Sequence, residues 1–267
     1  MKVVLFCGGR GTRIREYSEN VPKPLIPLGD QPIIRHVMQY YASFGHQDFI
    51  LCLGYKANAI KDFFINSRPE TFADCIVSGS GGVEILGDIR KDWRVSLIDT
   101  GVWRNIGERL WAVRDYVRKE RMFLANYSDG LTDVDLNEMV ERFEASDKLA
   151  CFLAVKPPLT YHLAEIGDDG CVQSFRSSET SDMWINGGYF LMRPEIFDYM
   201  RDGEELVLEP FTRLIAEDKL MAYKYEGFWR SMDTLRDWQT LEAMVERGGM
   251  PWLNHAENVQ ARISATG

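Results

Sequence analysis

Residues 5–25, LFCGGRGTRIREYSENVPKPL, place Gly8, Gly9 and Gly11, then Thr12 and Arg13, directly behind a short apolar run, and set Lys23 between Pro22 and Pro24. Glycine carries no Cβ, so the amides of such a loop can approach the oxygens of an anion closely. The spacing is not a dinucleotide fingerprint, because a frame starting at Gly9 puts Ile14 where the last glycine belongs. Nor is it a P-loop, since no Gly-Lys-Ser/Thr follows at the required distance. Proline restricts φ on both sides of Lys23 and limits the entropy lost when its ammonium is aimed at a target. The plain alternative is a glycine turn followed by a surface loop.

Two aspartates hold places where carboxylates often work. Asp129 ends the run MFLANYSD with Gly130 beside it, and Asp233 lies in WRSMDTLRD, where an aromatic strand meets a helix. Taken alone, an Asp-Gly pair is ordinarily a turn, and an aspartate just ahead of Thr234 is ordinarily part of a helix cap. The LIDTG of residues 97–101 matches the Asp-Thr-Gly of aspartic proteases. That chemistry needs two aspartates sharing a proton, however, and the other Asp-Thr, at Asp233, lacks the glycine. His36, His46, His162 and His255 have no ligand spacing with each other or with cysteine, so zinc has no support.

The elements that must position these residues alternate. KVVLF, DFILCLG, RVSLID, MFLANY, ACFLAV, GGYFLM and AYKYEGF have the length and β-branched content of strands, and the near-continuous apolar ones fit buried central strands. QPIIRHVMQYYASFG, IGERLWAVRDYVRKE, DVDLNEMVERFEASD and DTLRDWQTLEAMVERGG carry helical patterns. In the first of these, Ile33, Ile34, Val37, Met38 and Tyr41 share a face and Gly45 supplies the stop. The alternation predicts an α/β fold with a mostly parallel sheet and helices on both faces, and ligands beyond the carboxyl ends of the strands. Residues 66–94 interrupt the rhythm and predict a projecting hairpin or long loop, either a lid or an oligomer contact.

The 267 residues suit one domain, with a core over 1–253 and a loosely docked tail over 254–267. A net charge of −9 and a pI near 5.1 provide no basic field for nucleic acid or an anionic membrane, so small molecules are the expected partners. Cys7, Cys52, Cys75, Cys151 and Cys171 are scattered without a CxxC pair, and no apolar stretch approaches eighteen residues. Both facts fit a soluble protein of a reducing cytoplasm.

A short apolar first strand, Gly-Gly-x-Gly-Thr-Arg and a Pro-Lys-Pro some ten residues later resemble the signature of the sugar-1-phosphate nucleotidyltransferases. DFILCLGYKANAIKDFF, VSLIDTG, GERL, YSDG, INGGYFLM and GFWRSMDTLRD are similar, in the same order, to segments of glucose-1-phosphate cytidylyltransferases, so the resemblance spans residues 2–253. It implies a three-layer, Rossmann-like sandwich and transfer of a nucleoside monophosphate, CMP by the nearest resemblance, from its triphosphate to a hexose 1-phosphate. It also implies a homo-oligomer, and Mg²⁺ held by Asp129 and Asp233. Arg13 would face the β- and γ-phosphates and Lys23 the α-phosphate, with Gly8, Gly9, Gly11, Thr12, Tyr127 and Ser128 around the nucleotide. Arg109, Asn186, Gly187 and Glu179 would serve the sugar phosphate.

The chain departs from that family where Glu-Lys-Pro is usual, reading Ser177, Ser178, Glu179 instead, with Arg176 just before. PPLTYHLAEI likewise replaces a glycine-containing approach to the sugar with Tyr161 and His162. These departures leave open another base (UTP, dTTP or GTP) or another phosphorylated acceptor. They also leave open a non-catalytic nucleotide- or sugar-binding protein.

Overall fold

The computed structural model describes residues 1–11, 14, 21–66, 75–79, 82–85, 93–157, 162–177 and 183–255. Thr12, Arg13, Tyr161, Glu179 and the stretch 256–267 of the expected tail lie outside them. The chain opens with strand β1 (Lys2–Phe6), a 3₁₀ turn at Lys23–Leu25 and the small ribbon of β2 (Pro27–Leu28) with β3 (Gln31–Pro32). Helix α1 (Ile33–Ser43), β4 (Asp48–Leu53) and α2 (Ala57–Asn66) follow. Within the interrupting segment, β5 (Cys75–Val77) pairs antiparallel with β6 (Val83–Ile85), and the rhythm resumes with β7 (Arg94–Asp99). Next come α3 (Ile106–Ala112), α4 (Arg114–Val117), β8 (Phe123–Asn126), β9 (Gly130–Thr132), α5 (Leu136–Glu144) and β10 (Ala150–Val155). The ribbon of β11 (His162–Ile166) and β12 (Val172–Ser177) leads to β13 (Ile185–Met192), α6 (Glu209–Ala216), β14 (Leu220–Tyr225), β15 (Trp229–Ser231) and α7 (Leu235–Glu246).

Seven strands form the central sheet in the order β14-β10-β13-β8-β1-β4-β7. Every neighbouring pair is parallel except the two made by β13, which runs antiparallel to both β10 and β8. Side chains alternate across a strand. Val3 and Leu5 of β1 therefore join a core with Phe49, Leu51, Leu124 and α1, while Val4 and Phe6 join a second core with Ile50, Ala125, Leu110 and Phe211. Two cores on two faces make the expected three layers. Among the described residues no helix is long and apolar enough to cross a membrane.

The helices start and stop for local reasons. Helix α1 is buried through Ile33, Ile34, Val37, Met38 and Tyr41, and it ends as Gly45 adopts a φ of 83°. Asp135 caps α5 by accepting from the amides of Asn137 and Glu138, and Thr234 with Asp237 forms a capping box on α7. The pattern over 106–120 predicts one helix, whereas the chain breaks between α3 and α4. There Val113 donates its amide to Leu110 O and accepts from Tyr116 N, so three-residue turns replace the α-helical spacing and Val113 stays in the core.

The chain just ahead of the expected tail is anchored. Trp252 is fully buried, donates Nε1–H to His36 Nδ1 at 3.3 Å, and packs against Phe228 with ring centroids 5.7 Å apart. His36 in turn lies 2.9 Å by Nε2 from Leu28 O, and burial pulls its pKa below the ordinary value, which suits a neutral ring. Trp252→Ala is expected to cost about 3–5 kcal/mol through loss of this burial, measured as the shift of the urea unfolding curve.

Candidate active site

The loops beyond the carboxyl ends of β1, β7 and β8, with the start of β13 and the β9/β15 ribbon, surround a cleft of about 1110 Å³. Lys23 lies on its floor. Its Nζ donates to Asp129 Oδ2 at 2.5 Å and to Asp233 Oδ1 at 2.7 Å. All three side chains are mostly shielded, at 12, 20 and 24% exposure. Burial alone would lower the lysine pKa, but the two carboxylates outweigh it and raise it above the ordinary 10.5.

The local chain makes this meeting obligatory. Lys23 opens a 3₁₀ turn between Pro22 and Pro24, which fixes the direction of its stem. Gly130 pairs with Ser231 across β9 and β15, and Met232 N donates to Asp129 O at 2.9 Å, so Asp129 and Asp233 stand at the same end of one ribbon. Ser231 Oγ donates to Asp233 Oδ2 at 3.2 Å. Ahead of Asp129, Ser128 holds a φ of 66°, a left-handed conformation costly for a non-glycine residue. Two hydrogen bonds maintain it, from Ser128 N to Asn126 Oδ1 at 2.6 Å and from Ser128 Oγ to Phe6 O at 2.9 Å.

The glycine loop borders the same cleft. Gly9 and Gly11 line it, and a Cβ on Gly9 would meet nothing within 4 Å. Gly8 lies behind them, where a Cβ would come within 1.9 Å of the Arg109 guanidinium. Arg109 is expected at the sugar phosphate, and it does line the cleft, but its end nitrogens are committed to the protein. They donate to Leu53 O, Thr100 Oγ1, Gly101 O, Gly8 O and Val102 O at 2.8–3.3 Å, in a side chain only 2% exposed. The structure therefore makes Arg109 a clamp across the loops after β1, β4 and β7, with its cation directed to backbone oxygens.

Asn186 and Gly187 line the opposite arm of the cleft. Asn186 Nδ2 donates to Tyr127 OH at 3.0 Å, and its Oδ1 accepts from Gly188 N at 2.9 Å. Trp229 Nε1 donates to Gly187 O at 2.8 Å, and a Cβ on Gly187 would press that nitrogen and Leu153 O at 3.1 Å. The phenol of Tyr127 is pushed up to about 12 by burial, despite the Asn186 hydrogen bond that lowers it. Arg176 is paired with Glu165 across the exposed β11/β12 ribbon. Asp99 accepts from Gly101 N at 3.0 Å and closes a turn at the end of β7.

Lys23, Asp129, Asp233, Gly9, Gly11, Tyr127, Ser128, Arg109, Asn186 and Gly187 thus border one cleft, with Gly8 immediately behind. The sequence reading missed the aromatic and cationic groups that line it with them, among them Arg10, Trp103, Trp229, Arg230 and Arg236. Trp229 carried a signal, four residues before Asp233 in the same aromatic strand. The carboxylates also meet the first requirement of a magnesium site. Their oxygens already converge on one cation, and two hard oxygen donors suffice when water and phosphate complete the shell. No cluster of three or more His, Cys, Asp or Glu suited to a metal occurs among the described residues.

A family model of nucleotidyl transferases matches residues 2–245. A glucose-1-phosphate cytidylyltransferase of Salmonella typhi is 36% identical over 254 residues, covering 94% of this chain and 98% of its own. A mannose-1-phosphate guanyltransferase of Saccharomyces cerevisiae is 25% identical, covering 100% of this chain and 69% of its own. In three dimensions, a UTP-bound UGPase from Acinetobacter baumannii superposes with a TM-score of 0.68 at 16% identity over 91% of this chain and 92% of its own, a likeness of fold.

Lys23→Met leaves two adjacent carboxylates without their cation and is expected to cost about 3 kcal/mol in urea unfolding at neutral pH. Because the folded pKa of Lys23 is raised, its stabilisation is complete below 10.5 and disappears as pH rises through the higher folded value. The gap between wild type and variant should accordingly narrow only above about pH 10.5.

Proposed function

The chain belongs to the nucleotidyl transferase family, and from that premise we propose that it joins a cytidylyl group from CTP to glucose 1-phosphate, giving CDP-glucose and pyrophosphate. Membership also favours the enzyme over the non-catalytic binding protein. The observation that carries the reading is the Lys23 bridge to Asp129 and Asp233 on the floor of a cleft bordered by the glycine loop. A cleft of about 1110 Å³ exceeds the ~300–1,000 Å³ usual for one small ligand and has room for two substrates.

In this reaction a phosphate oxygen of the sugar phosphate attacks the α-phosphorus, a bond forms between them, and the α-phosphorus to bridging-oxygen bond breaks as pyrophosphate leaves. The barriers are repulsion between two anions and charge on the leaving group. Amides of the Gly8–Gly11 loop serve the triphosphate, and the family resemblance assigns Arg13, outside the described residues, to its β- and γ-phosphates. Asp129 and Asp233 would hold Mg²⁺, which would neutralise charge on the phosphates when bound. Lys23, on the floor of the cleft between the two carboxylates, is the cation offered to the α-phosphate. Asn186 and Gly187 face the sugar. Arg230 and Arg236, which line the cleft and flank Asp233 in sequence, supply the positive charge that Ser177-Ser178-Glu179 does not provide for the acceptor phosphate. The free thiols of Cys7, Cys52, Cys151 and Cys171 support a cytoplasmic setting.

Pyrophosphate release, measured with Mg²⁺ for CTP, UTP, dTTP and GTP against glucose 1-phosphate and other sugar phosphates, tests this directly. CTP with glucose 1-phosphate should be the best pair, and silence across the whole matrix would reject the reaction. Asp129→Ala and Asp233→Ala should each lower kcat by at least about 10²-fold with the fold intact, and a loss under about threefold would remove that residue from the metal site. Lys23→Ala should lower kcat more than nucleotide affinity, whereas the reverse pattern would make it a ground-state binder.

A further inference from the structure

Trp103 is 82% exposed, although tryptophan is ordinarily among the better buried residues. It lines the cleft on the segment after β7, beside Arg104 and Asn105. The Arg10 guanidinium, from the glycine loop after β1, stands 5.1 Å from the Trp103 ring centre and 6.0 Å from that of Tyr55, which follows β4. The three loops that carry Arg10, Tyr55 and Trp103 are the ones clamped by Arg109 through Gly8 O, Leu53 O, Gly101 O and Val102 O. An exposed indole on a clamped wall, held over a ligand cleft by a cation, has a use beyond packing.

We propose that Trp103, steadied by Arg10, is the platform on which the nucleobase stacks. The inference rests on the nucleotidyl-transfer reading of the same site. Sheet order decides which substrate reaches it. Asp129 follows β8, and Trp103 follows β7, which stands beyond β1 and β4 in the sheet. Three strand spacings amount to roughly 14 Å. A nucleoside extended from an α-phosphate at the acidic pair, together with an indole reaching back over the cleft, bridges that span. The acceptor arm, with Asn186 and Gly187 on β13, lies on the other side of β8 and is one spacing away. Stacking uses the π-face that every base presents. Trp103 therefore supplies affinity shared by all nucleotides, and the choice of base is made elsewhere in the cleft.

The test measures dissociation constants by calorimetry in Mg²⁺ for CTP, UTP, ATP and inorganic tripolyphosphate on wild type, Trp103→Ala and Trp103→Phe. Trp103→Ala should weaken CTP, UTP and ATP each by about tenfold while keeping their ratios within about twofold. Tripolyphosphate, which has no base, should bind the variant as it binds wild type, and Trp103→Phe should recover most of the loss. Wild-type CTP affinity in Trp103→Ala would overturn the proposal. So would equal weakening of tripolyphosphate, or a raised KM for glucose 1-phosphate with nucleotide affinity unchanged. If wild type binds none of the triphosphates, the underlying reading fails together with the stacking inference, an outcome distinct from the others.

Discussion

Two carboxylates brought to one point repel each other, and the arrangement of this cleft depends on the lysine that holds them there. Asp129 and Asp233 each place an oxygen within 2.7 Å of Lys23 Nζ, so those oxygens lie close to one another. At an effective dielectric of about 20, the repulsion is roughly 3 kcal/mol and each attraction to the ammonium roughly twice that. The triad is favourable as a unit and unfavourable with the lysine removed. It also gathers three distant parts of the chain, the Pro-Lys-Pro turn, the end of β8 and the end of β15, into one ion-paired contact.

Arg109 meets a parallel requirement on the wall beside it. Loops at the carboxyl edge of a parallel sheet end in carbonyls that the ladder leaves unpaired, and buried carbonyls need donors. One guanidinium serves Gly101 and Val102 and adds a donor at Gly8 O and Leu53 O, which also accept from Tyr55 N and from the amide and hydroxyl of Thr100. The cost falls on the sequence around it. Gly8 has no room for a Cβ, and a Cβ on Gly54 would come within 2.7 Å of both the guanidinium and Gly101 O. A glycine beside a phosphate site is thus fixed here by a neighbouring cation as well as by the approach of a ligand.

The strands and most helices were legible because each carries its own period, and the two cores follow from alternation along β1 and its neighbours. Asp129, Asp233 and Lys23 were legible through local punctuation: a glycine after a strand, a strand-to-helix junction and two prolines. What escaped was set by partners remote in sequence. Nothing in GERL tells a solvated arginine from one whose donors reach Gly8 O and Leu53 O. The break at Val113 escaped for the same reason, since an apolar helical period continues through it and only packing on the second core favours the tighter turn. Trp103 carries no local signal either, and only the fold brings it beside Arg10 of the glycine loop.

The plan of the cleft separates what must stay fixed from what can change. The lysine and both aspartates are held by β8, the β9/β15 ribbon and a proline-bounded turn, all packed against the sheet or hydrogen-bonded to it. The arms on either side belong to other elements, the clamped loops after β1 and β7 on one and the start of β13 with its Trp229 contact on the other. A substitution in one arm therefore alters what is bound there without moving the charges at the centre. The departure from Glu-Lys-Pro starts at Ser177, the last residue of the β11/β12 ribbon, no described residue of which lines the cleft, and on that ribbon Arg176 is paired with Glu165.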